Sequence, residues 1–383
     1  MEAPALAAER PRFLAAVREA AQFLFHLAVA QIVSAAFLAQ WGRDISDRLP
    51  QWLDDSMPRP FAFRRLVRWC LETAMAVLPV ERLQSWLTKP VGGAAQDEGI
   101  RVVDQALVTY RVPDAQAVPM VLVDLGLVFA LVAIAYVWRA LLTSCGLPRA
   151  VRWIAPGLFL LALPVHFANG GYIYDVPELL FASLATLAVV RGRWFAFYPV
   201  LTLAVLNKES GILLALVGIV FLVRKEWRRA WIHAGLSALF GVLPFLWIRF
   251  ALGDRPGLDM IDYTAHNLAY LASPSPWLGR GRIFHPLLPY PSALNLLLVG
   301  LFVAFVAYRF RARPLELRVT FLALLLATLP LFLAYGFESE VRVFALAYPA
   351  AMALAAHTLA EMFGEPVGGS ARTRPDPTTS SPA

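Results

Sequence analysis

Charge and cysteine are both scarce in this chain. Only 16% of its 383 residues are charged and 59% are hydrophobic, whereas a soluble domain carries about 25% charged residues. That balance excludes an ordinary soluble globule. The two cysteines, Cys70 and Cys145, exclude a disulfide-dense scaffold and a cysteine metal site. Nothing repeats with a fixed period. No His metal motif, no Gly-rich phosphate loop and no separate soluble domain is present. The first twenty residues lack a cleavage-site pattern joined to a short apolar region, so "VREAAQFLFHLAVAQIVSAAFLAQ" (17–40) reads as an uncleaved first span.

What the chain does have is long apolar runs. Mean hydropathy is +0.60, and candidate spans fall at roughly 20–39, 118–138, 151–168, 176–190, 230–250, 292–309, 317–336 and 341–360. A helix needs about 20 apolar residues to cross hydrocarbon. The expectation is an all-α polytopic membrane protein of roughly 8–11 transmembrane segments. The net charge of +7 does not point to nucleic acid. Much of the Arg and Lys lies between apolar runs, where it orients the chain and meets lipid headgroups.

Two shorter runs, "FAFYPVLTLAVL" and "GILLALVGIVFLV", lie between 195 and 223, separated by Asn207–Lys208–Glu209–Ser210. One long helix would carry that polar group at its middle. Two short helices would instead form a hairpin with it at the tip. The basic flanks "RGR" (191–193) and "RKEWRR" (224–229) both lie inside only if the segment goes up and returns, which favours the hairpin. The same alternation puts segment 1–19, Arg139, Arg149, Arg152, "YRFRARPLELR" (308–318) and the tail 363–383 in the cytoplasm. That tail has no means of forming a core and is expected to be disordered. Loops 40–117 and 251–291 then face outside. Within the first, "LVRWCLETAMAVLPV" (66–80) reads as a surface-lying amphipathic helix.

Polar groups gather on that outer face. "QWGRDISDRL" brings Asp44 and Asp47. "YIYDVPELLF" brings Tyr172, Tyr174, Asp175 and Glu178. The hairpin tip brings Asn207, Lys208, Glu209 and Ser210. "LDMIDYTAHN" brings Asp259, Asp262 and His266, and "YGFESEVR" brings Glu338, Glu340 and Arg342. A charge near hydrocarbon faces a cavity or a partner, so these groups suggest one polar chamber. Its acids could orient a hydroxyl, remove its proton or hold a divalent cation, although no spacing is diagnostic of a metal. Arg64, Arg65, Arg68, Lys208 and Arg342 could bind phosphate. Purely structural roles compete: Asp175 and Glu178 as first-turn acids of a helix, Lys208–Glu209 as a hairpin pair, Arg342 as a local partner of Glu338 or Glu340.

These segments resemble the GT-C class of integral-membrane glycosyltransferases over roughly 20–360. Asp44 and Asp47 match the position of that class's essential acid, soon after span one. Residues 60–87 match its surface helices. "YDVPELLF", "NKES" and "ESEVRVFALAYPA" are similar to stretches of its bacterial members. The chain departs from the class in two ways. No adjacent acidic pair directly follows span one, Asp54–Asp55 lying farther on, and no stretch of these residues reads as a large soluble C-terminal domain. The resemblance implies a polyprenyl-phosphate sugar donor, a lipid-linked or cell-envelope glycan acceptor, an inner-membrane location and a periplasmic active face. It implies Asp44 or Asp47 as base; the chamber then sets Tyr174, Asp175, Glu178, Asn207, Glu209, Asp262 and His266 at the substrate and Arg64, Arg65, Lys208 and Arg342 at the phosphate. A transporter or flippase for a lipid-linked sugar is the rival, because broken helices and membrane charges also mark transport pathways.

Overall fold

A computed structural model describes residues 3–87, 100–101, 111–112, 114–167, 171–257, 261–278, 280–284, 288–338 and 340–364. Asp259, most of 88–113 and residues 365–383 of the expected tail lie outside the described residues. The chain is helical, with two short antiparallel ribbons, Ile100–Arg101 with Arg111–Val112 and Arg280–Phe284 with Leu288–Pro291. Helices Leu14–Gly42, Ala117–Ser144, Trp227–Ala251 and Leu315–Tyr335 are long and apolar enough to cross a membrane. Trp194–Asn207, Glu209–Val223 and Leu296–Ala307 are apolar but shorter.

The first helix, α1 (Ala3–Leu53), corrects the expected start of the outer loop at 40. It runs on past Gly42 because Ile45, Leu49 and Trp52, spaced by four and three residues, are all buried. Asp44 and Asp47 are therefore helical, on the exposed side of those turns. The helix stops where Asp54 accepts hydrogen bonds from Ser56 N (3.0 Å) and Oγ (2.6 Å) and Asp55 turns left-handed at φ 63°. Two amphipathic helices follow, α2 (Arg65–Val77) and α3 (Val80–Leu87), neither long enough to cross. The expected helix at 66–80 is amphipathic, as read, and ends at Val77.

After α4 (Ala117–Ser144), the expected span 151–168 is broken at Ala162 into α5 (Arg149–Leu161) and the one-turn α6 (Leu163–His166). Next come α7 (Asp175–Val190) and α8 (Trp194–Asn207). A 3₁₀ segment, Glu209–Gly218, then runs into α9 (Ile219–Val223). The hairpin expectation holds. At its open end Trp194 packs on Phe221, with centroids 4.4 Å apart. At its tip Gly211 lies so close to α8 that a Cβ there would sit 2.4 Å from the Ala204 carbonyl carbon. Glycine is what lets the two arms meet.

A continuous helical run follows: α10 (Trp227–Ser237), a π turn (Ala238–Val242) and α11 (Leu243–Ala251). Thr202 of α8 donates to Phe240 O in that turn (2.7 Å). The chain continues through α12 (Thr264–Ala272), α13 (Ser275–Leu278), α14 (Leu296–Ala307) and α15 (Leu315–Tyr335) to α16 (Tyr348–Met362). The expected spans 292–309 and 341–360 are thus shorter than the sequence suggested. Arg342 stands in a 3₁₀ turn, Val341–Phe344, ahead of the last helix rather than in its first turn.

Charge is sorted by end. One end carries Arg139–Glu19 (2.6 Å), Arg191 with Ser144 (2.9 Å), Arg224 with Glu316, and Arg313–Glu361 (2.8 Å). These are the clusters expected to be cytoplasmic. The other end gathers Asp175, Lys208, Arg342 and Arg64. Between the two, Trp138 of α4 donates to Ser183 of α7 (2.9 Å) within an apolar core.

Candidate functional site

Asp175 is the first residue of α7 and its side chain is 1% exposed. One carboxylate oxygen accepts from Tyr172 N (2.9 Å) and from Arg342 (2.8 Å), and the other from Lys208 Nζ (3.1 Å). Glu178, 4% exposed, does not turn back on its own helix. It accepts from Lys208 Nζ (2.6 Å) and Ser210 Oγ (2.5 Å). Arg342 also pairs with Glu340. Asn207, fully buried, donates to Tyr174 O (2.9 Å), which fixes the hairpin tip against the start of α7. Arg64 reaches the Tyr174 hydroxyl and Glu209 (3.4 Å), its guanidinium 4.2 Å from the Tyr174 ring centroid.

The arrangement follows from the cost of buried charge. An unpaired buried ion costs several kcal/mol, so acids set at the mouth of an apolar helix require cations. The hairpin tip and the turn before α16 deliver them. The aromatic residues add a platform. Tyr172 stacks on Tyr174 (5.2 Å), Tyr174 on Trp52 (5.9 Å), and Phe61 tilts against Tyr172 (5.3 Å). Guanidiniums lie over this stack, as cations favour ring faces: Arg342 4.6 Å from Tyr172, and Arg48 5.7 Å from Tyr172 and 5.3 Å from Phe61.

The expected residues therefore separate into groups. Tyr174, Asp175, Glu178, Asn207, Lys208, Glu209, Arg342 and Arg64 form one network. Asp44 lies beside it, lining a cleft with Arg48, Trp52, Gly171 and Tyr172. Asp47 is exposed and already has an interaction partner. Arg65 parts from its neighbour Arg64. With Arg68 and Arg255 (2.6 Å) it surrounds Asp55, joining the end of α1 to the loop after α11. Burial alone would raise the Asp55 carboxyl. Hydrogen bonds from Arg65 and Arg255 and the charges of Arg65 and Arg68 outweigh that and hold it at about 2.

Asp262 and His266 do not join the network. Asp262 forms a local turn two residues ahead of α12, accepting from Thr264 N (2.8 Å) and Oγ1 (2.6 Å), bonds that lower its carboxyl below the ordinary value. His266 stacks on Phe337 (5.3 Å) and faces Glu338 at 3.6 Å. Among the described residues no group of three or more His, Cys, Asp or Glu is placed to hold a metal ion. The clustered carboxylates are instead occupied by Lys208 and Arg342.

Sequence reasoning missed Arg48, Trp52 and Arg255, and named Asp55 only as part of the adjacent pair Asp54–Asp55. The buried spacing of Ile45, Leu49 and Trp52 could have extended α1 and placed Arg48 beside Asp44. Nothing local links Arg255 to Asp55, 200 residues earlier. Comparisons with protein-family models, curated proteins and solved structures find no match.

Proposed function

We propose that the protein is an inner-membrane glycosyltransferase of GT-C type, its active face periplasmic. It moves a sugar from a polyprenyl-phosphate donor to a lipid-linked or cell-envelope glycan acceptor. The observation that carries this reading is the convergence of buried acids and cations at one end of an apolar helical bundle, beside the helical acid Asp44. The apolar helices suit the donor's lipid tail, and the cations suit its phosphate. Arg342 fits the phosphate role, because its buried Nε has no hydrogen-bond partner among the described residues.

In this mechanism Asp44 takes the proton of the acceptor hydroxyl, with Asp47 the alternative. The hydroxyl oxygen attacks the anomeric carbon and the bond to the phosphate oxygen breaks. The electron pair leaves with polyprenyl phosphate, and a single displacement inverts the anomeric centre. Arg342, Lys208 and Arg64 stabilise the charge that develops on the leaving group, while Arg65, at the start of α2, is held on Asp55. Asp175, Glu178 and Glu209 hold those cations in place. A second acid need not protonate the phosphate, which is already a competent leaving group.

Protein reconstituted in lipid and supplied with a panel of polyprenyl-phosphate sugars and lipid extracts tests the reading. A new glycosidic product supports it. Movement of the lipid-linked sugar across vesicles with no such product supports the flippase instead.

A further inference from the structure

The buried carboxylates Asp175 and Glu178 are taken up by Lys208, Arg342 and Ser210, and further polar groups lie around Tyr172. Arg48 rests over Phe61 and Tyr172 and has no carboxylate partner among the described residues. Asp44, one helical turn earlier, has neither a hydrogen bond nor an ion pair among the described residues, and the two do not pair with each other. The Tyr172 hydroxyl makes no hydrogen bond among them either. Arg342, over the same ring, holds its Nε buried and unpaired. Asp44, Arg48 and Tyr172 line one cleft, closed on another side by Gly171. A Cβ at Gly171 would come within 2.4 Å of the Trp41 ring, so glycine is what lets this wall pack there.

The complement of these groups describes a ligand. Arg48 is held by two rings, with donors that no carboxylate of the described residues consumes, and a planar guanidinium matches phosphoryl oxygens. Asp44 is an acceptor suited to a hydroxyl. We infer that this cleft is an anion subsite, in which Arg48 takes the phosphoryl group of a phosphate ester while Asp44 faces a hydroxyl beside it. Arg48, which no charge of the network neutralises, is the first contact for the anion, and Arg342 Nε lies behind it. Naming that ester as the sugar donor rests on the transferase reading; the phosphoryl binding does not.

The test uses the full chain in nanodiscs, titrated calorimetrically with farnesyl phosphate, farnesol and inorganic phosphate. Farnesyl phosphate is expected to bind more tightly than farnesol. Arg48→Gln weakens farnesyl phosphate at least about tenfold, the worth of one charge-assisted contact, and leaves farnesol unchanged. Asp44→Asn, which removes a neighbouring negative charge, tightens farnesyl phosphate. Competition by inorganic phosphate assigns the affinity to the phosphoryl group alone, and its absence assigns it to the lipid-borne phosphate; both keep the subsite. Equal affinity of Arg48→Gln and the native protein for farnesyl phosphate overturns the inference, as does equal binding of farnesol. If Arg48→Gln fails to fold, Asp44→Asn decides, and unchanged affinity there overturns it. Arg48-dependent binding without sugar transfer would sink the transferase reading and leave the subsite standing.

Discussion

Replacing Lys208 by Met removes the cation that faces two buried carboxylates, and the consequences for the two differ. Asp175 keeps Arg342 at 2.8 Å and Tyr172 N at 2.9 Å. Glu178 keeps only the Ser210 hydroxyl, at 2.5 Å. The cost therefore falls mainly on Glu178, which is 4% exposed. Breaking a buried pair by removing one partner costs about 3–5 kcal/mol, and with Ser210 still in place the low end, about 3 kcal/mol, is expected. Glu178→Gln alone leaves Lys208 on Asp175 and costs about 1 kcal/mol, the size of a net hydrogen bond. The double variant no longer buries an uncompensated charge and should recover most of the loss. A coupling of at least about 2 kcal/mol between the two sites is expected. Equilibrium unfolding of the four proteins in one detergent measures it. Additive losses, or a Lys208→Met protein as stable as the native one, would refute the pairing that organises the site.

Gly211→Ala puts a Cβ against the Ala204 carbonyl, backbone that can give way only by opening the hairpin; a loss of about 2–3 kcal/mol in the same assay is expected, together with lower sugar transfer as Lys208 is displaced. The Asp55 clasp has a defined acid limit: its carboxyl is lowered from 3.8 to about 2, so its contribution is whole above about pH 4 and is lost as pH falls through about 2, and Asp55→Asn should remove that segment of the acid stability curve. In a protein lacking Cys70 and Cys145, single cysteines at Ser210 and at Arg193 should react with an impermeant maleimide from opposite sides of the membrane; reaction of both from the same side would break the hairpin topology.

The hairpin was legible because basic flanks at 191–193 and 224–229 can share a side only if the chain returns, and Trp194 against Phe221 is that return. The acids and cations of the network were legible for a related reason. A charge beside an apolar run is costly alone, so Asp175, Glu178, Lys208 and Arg342 had to find one another. What the sequence hid is set by distance or by reading one element too short. Taking 40–53 as loop concealed that Asp44, Arg48 and Trp52 recur on a helix, and that Arg48 lies against the same aromatic residues as the network. Asp262 reads as a site acid only until its turn onto Thr264 is seen, a local use that any Asp two residues ahead of a Thr can adopt. Arg64 and Arg65, neighbours in sequence, part because the chain enters α2 between them, one turning to Tyr174 and the other to Asp55.

The most direct measurement is the initial rate of sugar transfer in proteoliposomes, at saturating donor and acceptor, for the native protein and for Asp44→Asn and Asp47→Asn after each is shown to be folded. The account predicts transfer by the native protein and a loss of about 10²-fold or more in Asp44→Asn, with Asp47→Asn close to native. Near-native rates in both variants would contradict it, as would the absence of any glycosidic product from the native protein.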